Sequence, residues 1–275
     1  MVILTGFADE ISPDLKVQLD ILESERIKHI EFRGAWGKNV LKLSDEELQQ
    51  VKAEMDRRGI QMSSVGSPIG KIKITDDFEQ HLVDFDRAID VANMFNAPYI
   101  RIFSFFIPQG EDPAQYRNEV IGRMQALVKR AEAAGVVLLH ENEKEIYGDI
   151  AERCLDILET CQSPHLRCAF DPANFVQCGV KPFANGFPLL ENYIEYVHIK
   201  DALFDQGKVV PAGEGDGEVL DVLKALQRKG YSGFLSLEPH LKAAGSFSGF
   251  SGPELFKTAT SALKGLLAQI GEEWS

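Results

Sequence analysis

Eight short apolar runs alternate with eight stretches of helical periodicity along this chain, and few folds accommodate that alternation. The runs are VILTGF (2–7), HIEF (29–32), IQMSSV (60–65), YIRIF (99–103), VVLLHE (136–141), LRCAFD (166–171), YVHIK (196–200) and FLSLE (234–238). Each has the length and the β-branched or aromatic content of a strand. The stretches between them carry helix start and stop signals. Ser12 and Pro13 stand as N-cap and first residue of the first helix. Ser44-Asp45-Glu46-Glu47 reads as a capping box ahead of the stripe Leu48, Val51 and Met55, and Gly59 ends that helix. A third helix is expected over 76–96, with Leu82, Phe85, Ile89 and Ala92 on one side. Asp112-Pro113 caps a fourth, in which Val120, Met124, Leu127, Val128 and Ala131 recur at helical spacing up to Gly135. Later helices are expected near 149–160, 182–193, 216–229 and 253–271. Strand-then-helix units predict an α/β protein with a parallel sheet. A closed (β/α)8 barrel takes roughly 250 residues, so 275 residues with no interrupting segment predict one barrel domain over 1–275.

Composition narrows the partners. The chain is 44% hydrophobic, enough for a large core, and its formal net charge of −13 repels phosphate backbones, so nucleic acid is excluded as a partner. No apolar stretch approaches the roughly 20 residues that cross a bilayer, which excludes a membrane span. Cys154, Cys161, Cys168 and Cys178 have no CxxC spacing, and MVILTGFADE lacks a basic n-region and a long apolar core, so the expectation is a cytoplasmic protein with reduced thiols. A homo-oligomer is compatible with all of this. The Gly- and Ser-rich segment LKAAGSFSGFSG (241–252) is expected to be a mobile loop.

The last four strand-like runs each end at a residue that can bind a metal: Glu141, Asp171, His198 and Glu238. In a (β/α)8 barrel the C-terminal strand ends converge on one face, so residues far apart in sequence can meet there. Three carboxylates and one imidazole suit a single hard or borderline divalent ion, Mn, Co, Mg or Zn. One such carboxylate alone would more often be a helix cap, but four on successive strands point to a shared ion. Side-chain alternation supports the geometry. If Glu141 faces the axis, Leu139 and Val137 share its face, and His140 and Leu138 turn towards the helices. Asp171 then travels with Ala169, His198 with Tyr196, and Glu238 with Ser236, and small neighbours leave room above the core.

With those residues in place, the chain resembles the xylose isomerase-like barrel superfamily, in particular its sugar phosphate isomerase/epimerase branch, which includes ketose 3-epimerases and inosose dehydratases. The resemblance covers essentially the whole chain, through HEN (140–142), FDPAN (170–174), VHIKD (197–201), AGEGD (212–216) and LEPH (237–240) in this order. It implies Glu141, Asp171, His198 and Glu238 as metal ligands and Glu141 and Glu238 as the acid/base pair. Some epimerases have a histidine three residues after the metal aspartate; this chain has Asn174 there, a candidate for substrate contact.

The chemistry of such a site is metal-assisted proton abstraction. A divalent ion on a substrate carbonyl and adjacent hydroxyl acidifies the neighbouring C–H and favours an enediolate. A carboxylate on each face could remove and return the proton, giving epimerisation or aldose–ketose isomerisation; expulsion of a β-hydroxyl from the same enolate would make the enzyme a lyase. The expected substrate is a keto-sugar or related polyol. Arg101, Glu31 and Arg33 could reach substrate hydroxyls or pair internally. Lys200 shares the inward face of His198 and could stabilise an enolate oxygen or snorkel to solvent. His240 is a candidate substrate donor or supporting residue. Phe7, Trp36, Phe103, Phe105, Phe106, Phe175 and Phe204 lie at or beyond strand ends, where one or two could cover a sugar ring and the rest pack. The acidic AGEGDGE loop disfavours a phosphate, with Lys71 and Lys73 as the counter-signal. The chain's six histidines are too few at strand ends for a multinuclear zinc cluster.

Overall fold

The computed structural model describes residues 1–241 and 251–275, so the loop expected over 241–252 lies outside the described residues except at its ends. Eight strands form one parallel sheet: β1 Ile3–Gly6, β2 His29–Phe32, β3 Gln61–Val65, β4 Tyr99–Ile102, β5 Val137–Glu141, β6 Leu166–Phe170, β7 Ile194–Ile199 and β8 Phe234–Leu237. The ladder runs β1-β8-β7-β6-β5-β4-β3-β2, and β1 and β2 pack side by side where the sheet curls round. The result is a nearly closed (β/α)8 barrel, as the strand–helix alternation predicts.

Around it lie α1 Leu15–Ser24, α2 Asp45–Arg58, α3 Phe78–Phe95, α4 Arg117–Ala134, α5 Ala151–Cys161, a short α6 Pro172–Gln177, α7 Phe187–Leu190, α8 Val219–Arg228 and α9 Pro253–Ile270. The capping box at Ser44 and Glu47 forms in full, and Gly59 closes α2 in the left-handed conformation. Two expectations need correction. The N-cap of α1 is Asp14, whose carboxylate accepts from Val17 N, while the Ser12 hydroxyl accepts from Asp14 N instead. The stretch 182–193 is not one helix, because a π turn at Pro182–Gly186 precedes the single turn of α7. Immediately after β6, Asp171 caps α6 by accepting from Asn174 N, an element with too few residues to show periodicity.

The sheet separates two cores. Helix-facing strand residues such as Leu138, Ile100 and Val197 join the large outer cluster, whereas Leu139, Ala169 and Tyr196 form a separate cluster on the axis, with Tyr99 and Phe234 against it. Tyr196 is fully buried there, and its hydroxyl is 2.9 Å from Ser63 Oγ, which is 2.8 Å from Thr5 Oγ1. A buried phenol needs such a partner. Two register shifts interrupt the barrel, between Ile30 and Glu31 against β3 and between Cys168 and Ala169 against β7. Bulges of this kind re-aim side chains near active sites. Here they fall directly before the site-facing Glu31 and below Asp171.

Candidate metal centre

Glu141 is the last residue of β5, His198 lies one residue before the end of β7, and Asp171 and Glu238 immediately follow β6 and β8. These four side chains meet on the barrel axis, with one ligand atom from each lying within 4.8 Å of all the others. His198 Nδ1 is 3.1 Å from Glu141 Oε1, 3.6 Å from Glu238 Oε2 and 3.8 Å from Asp171 Oδ2. All four are buried, and Asp171 Oδ2 and both ring nitrogens of His198 have charged neighbours within 4 Å but no well-aligned hydrogen bond among the described residues. Unsatisfied buried polar atoms are costly unless something fills the gap. Three carboxylate oxygens and one imidazole nitrogen converging on that gap fit a divalent cation. The His198 imidazole is fully buried, with Glu31 closing the axis beneath it in the room that Ser236 leaves.

Positive charge surrounds this nest. Lys200 Nζ lies 3.0 Å from Asp171 Oδ2 and 3.1 Å from Glu238 Oε2, so the lysine points inward and does not snorkel. Arg101 donates to Glu141 Oε2 at 3.1 Å and to Ser67 O at 3.2 Å. Arg33 reaches Asp9 at 2.7 Å, Glu10 at 3.4 Å and Glu238 Oε1 at 3.6 Å, so the internal pairing is realised for both arginines. Asn174 donates to Glu141 Oε1 at 3.1 Å and to Asn142 O at 2.9 Å. His240 Nδ1 is 3.0 Å from Glu10 Oε1 and 3.3 Å from Glu238 Oε1. Glu10, Glu238 and His240 form a second trio with convergent ligand atoms, but Arg33 already faces Glu10 and Glu238.

The electrostatics follow from burial and these cations. Burial raises the Glu141 and Glu238 carboxyls, but their partners override it: His198 and Arg101 hold Glu141 down, and Lys200, His240, His198 and Arg33 hold Glu238 well down. Asp171 moves the other way, up to about 6, because burial and the charges of Glu141 and Glu238 outweigh Lys200. Burial also lifts Glu10 to about 8 despite Arg33, and pushes His240 down to about 4. His198 is raised despite its burial, by Glu141 and Glu31. A metal at Nδ1 needs that ring neutral, so metal uptake here is coupled to proton release.

The glycine-rich loop after β7 has a definite task. The Asp201 carboxylate accepts from the amides of Gly213 (2.9 Å), Gly215 (3.1 Å) and Gly217 (2.7 Å) and from Ala202 N. A Cβ on Gly215 or Gly217 would strike that carboxylate, which explains the glycines. An internal anion therefore fills the cradle in which such loops hold phosphate elsewhere. Lys71 pairs with Glu143 at 2.8 Å and sits over the Phe103 ring. Phe7 packs edge-on against His198, beneath the guanidinium groups of Arg33 and Arg101. Of the other strand-end aromatics, Trp36 and Phe204 are exposed, while Phe103, Phe105 and Phe175 are fully buried.

The sequence reading did not single out Asp9, Glu10 or Asn142. Asp9 and Glu10 lie in a 3-10 turn, Ala8–Glu10, beyond the end of β1, so a rule that looks only at strand ends passes them over. Asn142 exchanges two 3.0 Å hydrogen bonds with the Asp171 backbone, tying the ends of β5 and β6 together. No helix among the described residues is long and apolar enough to cross a membrane.

Residues 7–264 match the family described as xylose isomerase-like TIM barrel. Among solved structures, a D-tagatose 3-epimerase-like protein superposes with a TM-score of 0.79 at 17% identity, covering 98% of each chain. The probable 3-DHS dehydratase AsbF of Bacillus anthracis gives 0.75 at 18% identity, over 96% of this chain and 99% of that one. The IOLI protein with a bound zinc atom gives 0.75 at 17% identity, over 98% of each. At these identities the likeness is one of fold. No curated protein matches the sequence.

Proposed function

We propose, from the premise that this chain belongs to the xylose isomerase-like TIM barrel family, that residues 1–275 act as one domain and form a metal-dependent isomerase or epimerase of a keto-sugar or related polyol. The observation that carries this reading is the approach of Glu141 and Glu238 to one point from β5 and β8, with Asp171 and His198 completing the donor set. When bound, a divalent ion would supply Lewis acidity at substrate oxygens. The chain supplies the rest. Glu141 and Glu238 are both held ionised by their cations, so each can accept a proton. Arg101 and Asn174 fix the two oxygens of Glu141, and Lys200 and Arg33 those of Glu238. Of two fixed carboxylates at one centre, one can remove a carbon-bound proton while the other, once it has taken a proton from solvent, delivers that proton to the opposite side. Arg101, Asn174, Lys200 and His240 are the proposed substrate contacts, and each already carries a donor at the rim of the nest.

Charge balance supports a neutral substrate. Asp9, Glu10, Glu31, Glu141, Asp171 and Glu238 face the cations Arg33, Arg101 and Lys200. These carboxylates outnumber the cations that face them, so the site holds no surplus positive charge with which to bind a phosphate dianion. A second reading, loss of water by a lyase, draws on Lys200, whose ammonium beside Glu238 could protonate a departing hydroxyl.

Turnover of unphosphorylated ketoses, aldoses and inososes in D2O with Mn2+, Co2+, Mg2+ or Zn2+ tests the proposal, with matched sugar phosphates as comparators. Deuterium should enter next to the carbonyl, and Glu141→Gln and Glu238→Gln should each lose on the order of 100-fold or more in kcat, the usual scale of acid–base catalysis. Retention of the original hydrogen would point to a hydride shift instead. Full activity in both variants would leave the glutamates as ligands only. A dehydrated product would select the lyase, and a preference for the phosphates would overturn the neutral pocket.

A further inference from the structure

Glu31 is a fully buried carboxylate on the barrel axis, on the side of His198 away from the three acidic ligands. His198 Nε2 lies 3.2 Å from Glu31 Oε2, while its Nδ1 faces Glu141, Asp171 and Glu238. The Ser236 hydroxyl donates to the same Oε2 at 2.6 Å, and Ser236 is the register partner of His198 on the neighbouring strand. The register shift between Ile30 and Glu31 lies directly before this glutamate. An acceptor on one ring nitrogen keeps the proton there and leaves the lone pair on the other. We propose that Glu31 is the positioning residue of the metal centre: it holds the Nε2 proton of His198, and so presents Nδ1 to the ion, with Ser236 orienting it.

Glu31 touches no reacting atom in this scheme, and the inference rests on His198 being a ligand. The decisive measurement uses the wild-type chain loaded with Zn2+ and labelled with 15N at histidine. The His198 ring, assigned by its loss in His198→Asn, should carry its proton on Nε2 and coordinate through Nδ1; the opposite pattern overturns the proposal. In chelator competition with Zn2+ alone, Glu31→Leu should bind roughly 10–100-fold more weakly, the usual effect of removing a group behind a ligand. Glu31→Gln keeps an acceptor oxygen and should recover part of that loss. If Glu31→Leu lowers the melting temperature but leaves Zn2+ affinity intact, while His198→Asn loses it, Glu31 is structural and the proposal fails alone. If His198→Asn binds Zn2+ as the wild type does, the ligand assignment itself fails. Should Glu31→Leu not fold, the wild-type ring pattern still decides.

Discussion

The two halves of the barrel contribute different chemistry to one site. The second half, β5 to β8, ends in the side chains that converge on the axis: Glu141, Asp171, His198 and Glu238. The first half ends in groups that brace them: Arg33 against Glu238, Arg101 against Glu141 and Glu31 against His198, with Asp9 and Glu10 in turn holding Arg33. The ligand half crowds like charges and stores repulsion, which the arginines of the first half disperse together with Lys200 from the second. Such crowding is tolerable only where fixed counter-charges are buried alongside, because unpaired ions in a low-dielectric interior are expensive. Ligands should therefore be costly to lose for metal binding, and braces costly to lose for stability.

Asp171→Asn gives the largest expected effect and the sharpest contrast. Asparagine still caps α6, but one of the crowded carboxylates is gone, so metal affinity should fall by more than the roughly 10–100-fold typical of changes behind a ligand. In chelator the metal-free variant should be no less stable than the wild type. Chelator competition and denaturant unfolding, measured together, check both arms; a destabilised apo variant would break the division between halves. Arg33→Met tests the other half. It removes the close partner of the largely buried Asp9 and leaves Glu238 with less neutralising charge, so the unfolding free energy should drop by about 3–5 kcal/mol, as expected when one partner of a buried pair is removed. A drop under 1 kcal/mol would show that the guanidinium is dispensable.

The smallest expected effect concerns His81, remote from the ligands. Its Nε2 accepts from Gly70 N at 2.8 Å, and burial lowers its pKa. A depressed histidine stabilises the fold above its unfolded value of about 6.5 and loses that contribution as pH falls. His81→Gln keeps an acceptor without titrating. Its melting temperature should fall less than the wild-type value between pH 7.5 and 5.5, by an amount within the roughly 1 kcal/mol net worth of one hydrogen bond. Parallel pH curves for the two proteins would exclude His81 as a source of acid sensitivity.

Much of this architecture is legible in one dimension because it depends on local rules. Period-2 and period-3.6 patterning places the eight strands and most of the helices, and the strand-end position alone singles out Glu141, Asp171, His198 and Glu238. Short or irregular elements escape: α6 is a single cap-driven helix, and the π turn at Pro182–Gly186 interrupts a pattern that reads as continuous. The partners of the charges escape too. Whether Arg101 meets Glu141, Arg33 meets Glu238 and Glu31 lies behind His198 depends on sheet register and on bulges of one residue. A one-residue slip turns a side chain to the other face of the sheet. The sequence by itself determined the barrel and the residue types at its rim. Only the tertiary structure decided which cation neutralises which carboxylate and which ring nitrogen faces the gap, because those choices belong to distances between strands that are far apart along the chain.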